Sequence, residues 1–307
     1  MKSLRSYTML TLLALLLTGT GAHATAQESL LDAAAPGRAA ALPPGVTLQR
    51  DLHYGSGSLQ TLDVYRPARA IRAPVILMVH GGGWRGGDKS MGRMVDSKVT
   101  RWVPRGFVFV AIDYGLLPGT PVSRQADDVA QAVAYVQQHA SEWGADPRKL
   151  ILMGHSAGAH LVAVLAADAA RVKAARIAPW LGTIVLDSAA LDVPQVMQRR
   201  HMRLYDDAFG SDAATWKALS PIDLLGAAGS PLLAVCSSTR PDDSCGQARR
   251  FVARASALGM RASVHEEALT HGEINFTLGV AGAYTDAVEA FMRSLDADVL
   301  RLLETKS

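Results

Sequence analysis

The sequence predicts an α/β protein: a mostly parallel, twisted sheet of about eight strands, helices on both faces, and a small helical insertion. Three observations carry that prediction. Continuous apolar runs such as residues 74–79 and 107–112 suit strands buried on both faces, and they alternate with segments whose apolar residues recur at three and four. Gly154-His155-Ser156-Ala157-Gly158 stands where the apolar run 150–153 gives way to helix-forming 159–166, so a G-x-S-x-G falls between strand and helix. Every residue with evident chemistry falls where an expected strand stops, and in open α/β sheets sites gather at the carboxyl ends of strands.

The first residues read as an export signal, not as fold. Lys2 and Arg5 precede an apolar stretch over 9–17, and Ala22-His23-Ala24 forms an A-x-A cleavage site, with Ala24-Thr25-Ala26 a second possible cut. The stretch is too short to span a bilayer, and no cysteine lies near the cut to carry a lipid. Residues 1–24 are therefore expected to be a signal peptide for a periplasmic or secreted protein without a membrane anchor. Residues 25–44 are Ala/Pro-rich and read as a flexible leader, and 45–307 as one domain. Removing residues 1–24 lowers the formal charge from +3 to +1, which gives no basis for nucleic acid as a partner.

Residues 47–54 and 59–65 alternate around Gly55-Ser56-Gly57 and predict an antiparallel hairpin. The strand at 74–79 runs into His80-Gly81-Gly82-Gly83-Trp84, and that at 107–112 into Asp113-Tyr114. Val122, Ala126, Val129, Val133 and Val136 predict a helix over 121–139. After the Ser156 turn a helix runs to about Asp168, and a strand at 183–186 ends at Asp187. Residues 192–224 are polar and helical in pattern and break the rhythm; they read as a cap-like insertion over the site. A strand at 232–235, a helix over 247–258, a strand at 262–266, a loop with His271 and a helix over 283–295 complete the expected order.

Ser156 needs a base to become a nucleophile. His155 and His160 flank it but point away, and His265 lies inside a strand. His271 follows the last strand and can reach the elbow. The base needs a carboxylate to hold its tautomer. Residues 237–244, after the strand at 232–235, offer Asp242, with Asp243 as the alternative; Asp187 and Asp192 after the preceding strand are the fallback. Amides of Gly82, Gly83 and Ala157 are candidates for an oxyanion hole. Asp88-Lys89 reads as a local salt-bridged turn. Trp84, His155 and Trp216 are candidate pocket residues, alongside Trp180, Met197 and Met202, for which core packing is the commoner fate. Cys236 and Cys245, the only two cysteines, suggest one disulfide in an oxidising compartment. No metal-binding pattern stands out and no cofactor is expected.

With Leu62-Asp63-Val64-Tyr65-Arg66-Pro67, His80–Trp84, Asp113-Tyr114, Asp146-Pro147, Gly154–Gly158 and His271-Gly272 in view, the chain resembles the α/β-hydrolase family over residues 46–295. The likeness is to the branch of hormone-sensitive-lipase-like esterases, kynurenine-formamidase-like enzymes and bacterial carboxylesterases. Gly115-Leu116 departs from the Arg-Leu of many relatives, and Ala159-His160 after Gly158 is closer to the formamidase-like and bacterial-esterase pattern. The resemblance implies an α/β-hydrolase fold and a serine carboxylic ester hydrolase of short or medium acyl chains that needs no metal. It equally implies, as alternatives, an arylformamidase-like amide hydrolase or an acetyl or feruloyl sugar esterase with the same triad. A non-catalytic binding protein on this fold would need a broken triad, and none is visible.

Overall fold

The computed structural model describes residues 41–226 and 229–304; the expected signal peptide and the leader up to residue 40 lie outside the described residues. Among the described residues eight strands are present: β1 (Val46–His53), β2 (Thr61–Pro67), β3 (Ala73–Val79), β4 (Val108–Ile112), β5 (Ala145–His155), β6 (Gly182–Leu186), β7 (Leu232–Ser237) and β8 (Ala262–Glu267). They form one sheet in the order β1-β2-β4-β3-β5-β6-β7-β8. β1, β2 and β4 pair antiparallel, and every pairing from β4 and β3 through β8 is parallel. The expected hairpin therefore forms one edge of the sheet, and the parallel part holds the strand ends with chemistry.

The apolar runs are continuous because both faces of the central strands are covered. Val75, Leu77, Val79 and Leu152 face one core, and Ile76, Met78, Ile151 and Met153 face the other. The first core is closed by α2 (Val122–His139), α3 (Ala157–Ala167) and α9 (Ser244–Ala257); the second by α1 (Gly92–Trp102), α11 (Ala283–Arg293) and α12 (Ala297–Glu304). A short α4 (Ala169–Ala174) follows α3. The insertion after β6 holds four short helices, α5 (Val193–Met197), α6 (Arg203–Phe209), α7 (Ala213–Ala218) and α8 (Pro221–Leu224). The segment expected as a loop at His271 is a six-residue helix, α10 (His271–Phe276). Among the described residues no helix is long and apolar enough to cross a membrane.

Besides α10, three helices, α1, α4 and α12, are absent from the sequence-based expectation. In α1 the buried face is Met94, Val95, Val99 and Trp102, with Lys98 fully buried among them. A lysine in a core slot breaks the apolar pattern by which a helix is recognised. The Asp88-Lys89 turn also carries more than local weight. Lys89 is buried, and its ammonium pairs with Asp51 at 2.8 Å, Asp113 at 3.3 Å and Asp63 at 3.6 Å, tying the edge hairpin to the loop after β3.

Candidate active site

The site is built where β3, β5, β6 and the β7–β8 region end. Ser156 follows β5 at φ 57° and ψ −118°, a conformation that costs on the order of 1–3 kcal/mol and must be held by its surroundings. Glycine makes that turn possible by close approach. A Cβ on Gly154 would drive into the Gly158 carbonyl, and one on Gly158 into the carbonyls of Val79 and His80. The Ser156 amide donates to the Leu186 carbonyl of β6 at 2.9 Å, so the elbow hangs directly from the neighbouring strand end.

His271 heads α10. Its Nε2 lies 2.9 Å from Ser156 Oγ, and its Nδ1 lies 2.6 Å from Asp187 Oδ2. With the proton placed on Nδ1, the imidazole donates to the carboxylate and accepts from the serine hydroxyl. α10 is fixed along its length. Thr270 and Glu273 form a capping box at its start. His155 Nε2 donates to the His271 carbonyl at 2.9 Å, and Lys98 Nζ donates to the Asn275 carbonyl and side-chain oxygen at 2.7 and 2.9 Å.

The carboxylate at His271 is Asp187, at the end of β6, and this corrects the expectation of Asp242 or Asp243. Asp242 forms a forked pair with Arg240 at 2.9 and 2.5 Å. Asp243 is half exposed ahead of α9, 3.4 Å from Arg250. Asp192 accepts the Gln195 amide at the start of α5. The physical reason lies in sheet order: β6 is the strand next to β5, so its end, not that of β7, stands beside the elbow. Asp187 takes φ 57°. Its Oδ1 accepts the Ser237 amide at 2.9 Å, and its Oδ2 also accepts from Arg240 Nη1 at 2.9 Å. Burial pushes this carboxyl's pKa up, but the hydrogen bond to His271 and the Arg240 charge prevail and hold it well below the usual range. His271 is itself pushed below 6.5, by burial first and by Arg240 second, against the pull of Asp187.

Gly82, Gly83, Trp84, Ser156, Ala157 and Asp187 line one cavity of about 590 Å³, walled on the far side by Met202, Arg203, Leu204 and Tyr205 of the insertion. Ala157 begins α3, where backbone N–H groups lack helical partners. Gly82 adopts φ 115° and sits against the Gly86 carbonyl, room that only glycine leaves. His80 braces this loop by donating from Nδ1 to the Gly81 carbonyl at 2.7 Å and stacking on Tyr114 at 4.4 Å. Arg85 and Asp207 pair at 3.0 Å between the loop and the insertion.

Of the expected pocket residues, Trp84 and Met202 line the cavity. Trp84 Nε1 donates to His160 Nδ1 at 3.2 Å, and His160 Nε2 donates to the Leu219 carbonyl at 2.8 Å, fastening the insertion to the elbow helix. His155 and Trp216 are not among the lining residues. His155 packs behind His271, its ring 4.6 Å away, and Trp216 bonds the Gly210 carbonyl. Trp180 bonds Thr183 in the core, where Met197 is also buried. Cys236 and Cys245 form a disulfide that closes the loop carrying Arg240. A hollow of about 640 Å³ beside α2 and α4 contains none of these groups.

A parallel sheet whose central strand ends in a strained serine turn, with helices on both faces, defines an α/β-hydrolase. Within that class the chain belongs to the BD-FAE family, whose model matches residues 62–236. Among curated proteins it is 28% identical over 220 residues to esterase LipQ of Mycobacterium tuberculosis, covering 66% of this chain and 51% of LipQ. It is 32% identical over 117 residues to the isoprenylcysteine alpha-carbonyl methylesterase ICME of Arabidopsis thaliana, covering 38% of this chain and 27% of ICME. The chain thus spans about half the length of the one and about a quarter of the other. The fold matches esterase B from Lactobacillus rhamnosis at TM-score 0.72 and 19% identity, covering 91% of this chain and 93% of that one.

Proposed function

We propose that this chain is an exported serine hydrolase that cleaves carboxylic esters of short or medium acyl chains through an acyl-enzyme on Ser156. The observation that carries the reading is the unbroken line Ser156 Oγ, His271, Asp187 at 2.9 and 2.6 Å. His271 Nε2 takes the Ser156 proton as Oγ attacks the ester carbonyl, and Asp187 stabilises the imidazolium that forms. The amides of Gly82, Gly83 and Ala157 receive the developing oxyanion. The imidazolium then protonates the departing alkoxide. Water enters and attacks the acyl carbonyl as His271 takes its proton; His271 then returns that proton to Ser156 Oγ as the acyl–oxygen bond breaks and the acid leaves. No cofactor enters these steps. The esterase names of LipQ and ICME support the substrate class. The cavity's polar wall of Arg85, Ser188, Arg203 and Asp207 suits a polar leaving alcohol. The Cys236–Cys245 disulfide suits an oxidising compartment, periplasmic or extracellular, as the sequence signal does.

The test is a panel of 4-nitrophenyl esters of graded acyl length plus N-formylkynurenine, on the wild type and Ser156→Ala. Turnover of the shorter esters by the wild type, falling by about 10⁴-fold or more in the variant, is expected. Turnover of the formamide alone would favour the amide-hydrolase alternative. No turnover by either protein would leave a binding protein on a hydrolase fold.

A further inference from the structure

The guanidinium of Arg240 is the most heavily engaged charged group in the site, and none of the steps above uses it. It comes from the loop between β7 and α9, clasped at both ends by Cys236 and Cys245. Its side chain is only 10% exposed. Nη1 donates to both the carbonyl and Oδ2 of Asp187 at 2.9 Å, while Nε and Nη2 grip Asp242. Nη1 also lies 2.8 Å from His271 Nδ1. That nitrogen already donates to Asp187, so this approach sets one donor against another. A permanent cation is held against the ring that must become a cation during turnover.

We propose that Arg240 is a positioning residue that fixes Asp187 as an ionised acceptor for His271, and that Asp242 is the counter-ion that offsets its charge on the imidazole. The proposal rests on the serine-hydrolase reading of the site. The Asp187 carboxylate has three donors, the Ser237 amide, Arg240 and His271, and so one orientation. Without Arg240, Oδ2 loses the donor that competes with His271, and the carboxylate gains freedom to turn. The cost of this anchoring is electrostatic, because a like charge beside the imidazole opposes protonation. Asp242 works the other way. Removing the guanidinium and removing its counter-ion should therefore move the His271 titration in opposite directions.

The other groups facing His271 do not obscure that reading. On β5, burial keeps His155 neutral, with the His271 charge and then Lys98 of α1 adding to its depression; Lys98, itself lowered to about 7 by burial, is common to every variant compared. Tyr205 of α6 and Tyr284 of α11 are buried phenols with raised pKa values. Glu273, on the same helix, is committed to Thr270. Ser156 carries no charge.

The experiment compares kcat and KM across pH for the full chain, wild type, Arg240→Met, Arg240→Lys and Asp242→Asn. The wild-type acid limb should fall below the ordinary histidine value of about 6.5. Asp242→Asn should move that limb down by about half a unit or more, with plateau kcat within about tenfold of wild type. Arg240→Met should move it up by a similar amount and lower plateau kcat by about 10- to 100-fold. Arg240→Lys keeps the charge and loses the fork, so the limb should stay near wild type while kcat remains low. Shifts of the same sign, or none, in the Met and Asn variants would overturn the proposal. So would a loss of about 10³-fold or more in Asp242→Asn, which would make Asp242 the triad acid. If Arg240→Met does not fold, the Asn variant still decides by its sign. NMR titration of the ¹⁵N-labelled His271 imidazole gives the same shifts without turnover. An inactive wild type with opposite NMR shifts would sink the esterase reading and leave the Arg240 proposal standing.

Discussion

At the scale of single residues, the proposed reaction depends on a negative charge at position 187. Asp187→Asn preserves size but lets the side chain donate to Nδ1, which selects the wrong tautomer of His271. We expect kcat with a 4-nitrophenyl ester to fall by about 10⁴-fold while the thermal midpoint stays above assay temperature; kcat within tenfold of wild type would remove Asp187 from the triad. Ser156 and His271 were legible because their signals are local: a glycine-flanked serine after an apolar run, and a histidine after the last strand. The carboxylate was not. Asp187, Asp192, Asp242 and Asp243 all follow strands, and sequence spacing does not say which strand end borders the elbow. Only the pairing of β5 with β6 decides that. His155 was similarly opaque, since its role depends on which way a buried ring turns.

At the scale of elements, the disulfide-closed loop holds more than its own chain. Ser237 Oγ and Thr239 Oγ1 donate to the Leu269 carbonyl at 2.5 and 3.2 Å, and Ser238 bonds Glu267, so the loop also steadies the approach to α10. Cys236 and Cys245 are nine positions apart, a short ring worth about 2–3 kcal/mol by chain entropy. Reduction, or the Cys236→Ala/Cys245→Ala double variant, should cost roughly that in chemical denaturation. It should also lower kcat, because Asp187 and the approach to His271 lose a common support. Unchanged stability and kcat after complete reduction would show that the loop holds itself. The central strands were plain in the sequence as continuous apolar runs. α1 and α10 were not, because a buried lysine interrupts the first and the second is a single capped turn and a half.

Over the whole molecule, several histidines are buried in neutral form. Burial pushes His160 down to about 4 and holds His155 well below 6.5, and His80 and His271 are lowered as well. Because the folded pKa values lie below the unfolded one, this stability is complete above about pH 6.5 and drains away as pH falls toward 4. His160 alone accounts for about 3 kcal/mol of it. His201 works in the opposite sense through its Asp206 pair, whose carboxylate is largely exposed and therefore screened. The thermal midpoint should thus drop steadily between pH 6.5 and 4, and less so in His160→Gln. A flat profile would mean that these rings accept protons without opening the fold. His160 is the informative member, since a proton on Nδ1 sets it against the indole N–H of Trp84 and loosens the cavity wall.

The Ser156 amide hangs from the carbonyl of Leu186, the last residue of β6, and the residue that follows it is Asp187. The backbone ladder between β5 and β6 is thus the ruler against which nucleophile and acid are aligned. A slip of one rung would turn Asp187 to the opposite face and offer the imidazole a leucine or a serine instead. Chemical competence here is a question of strand register, settled at the moment the sheet zips closed.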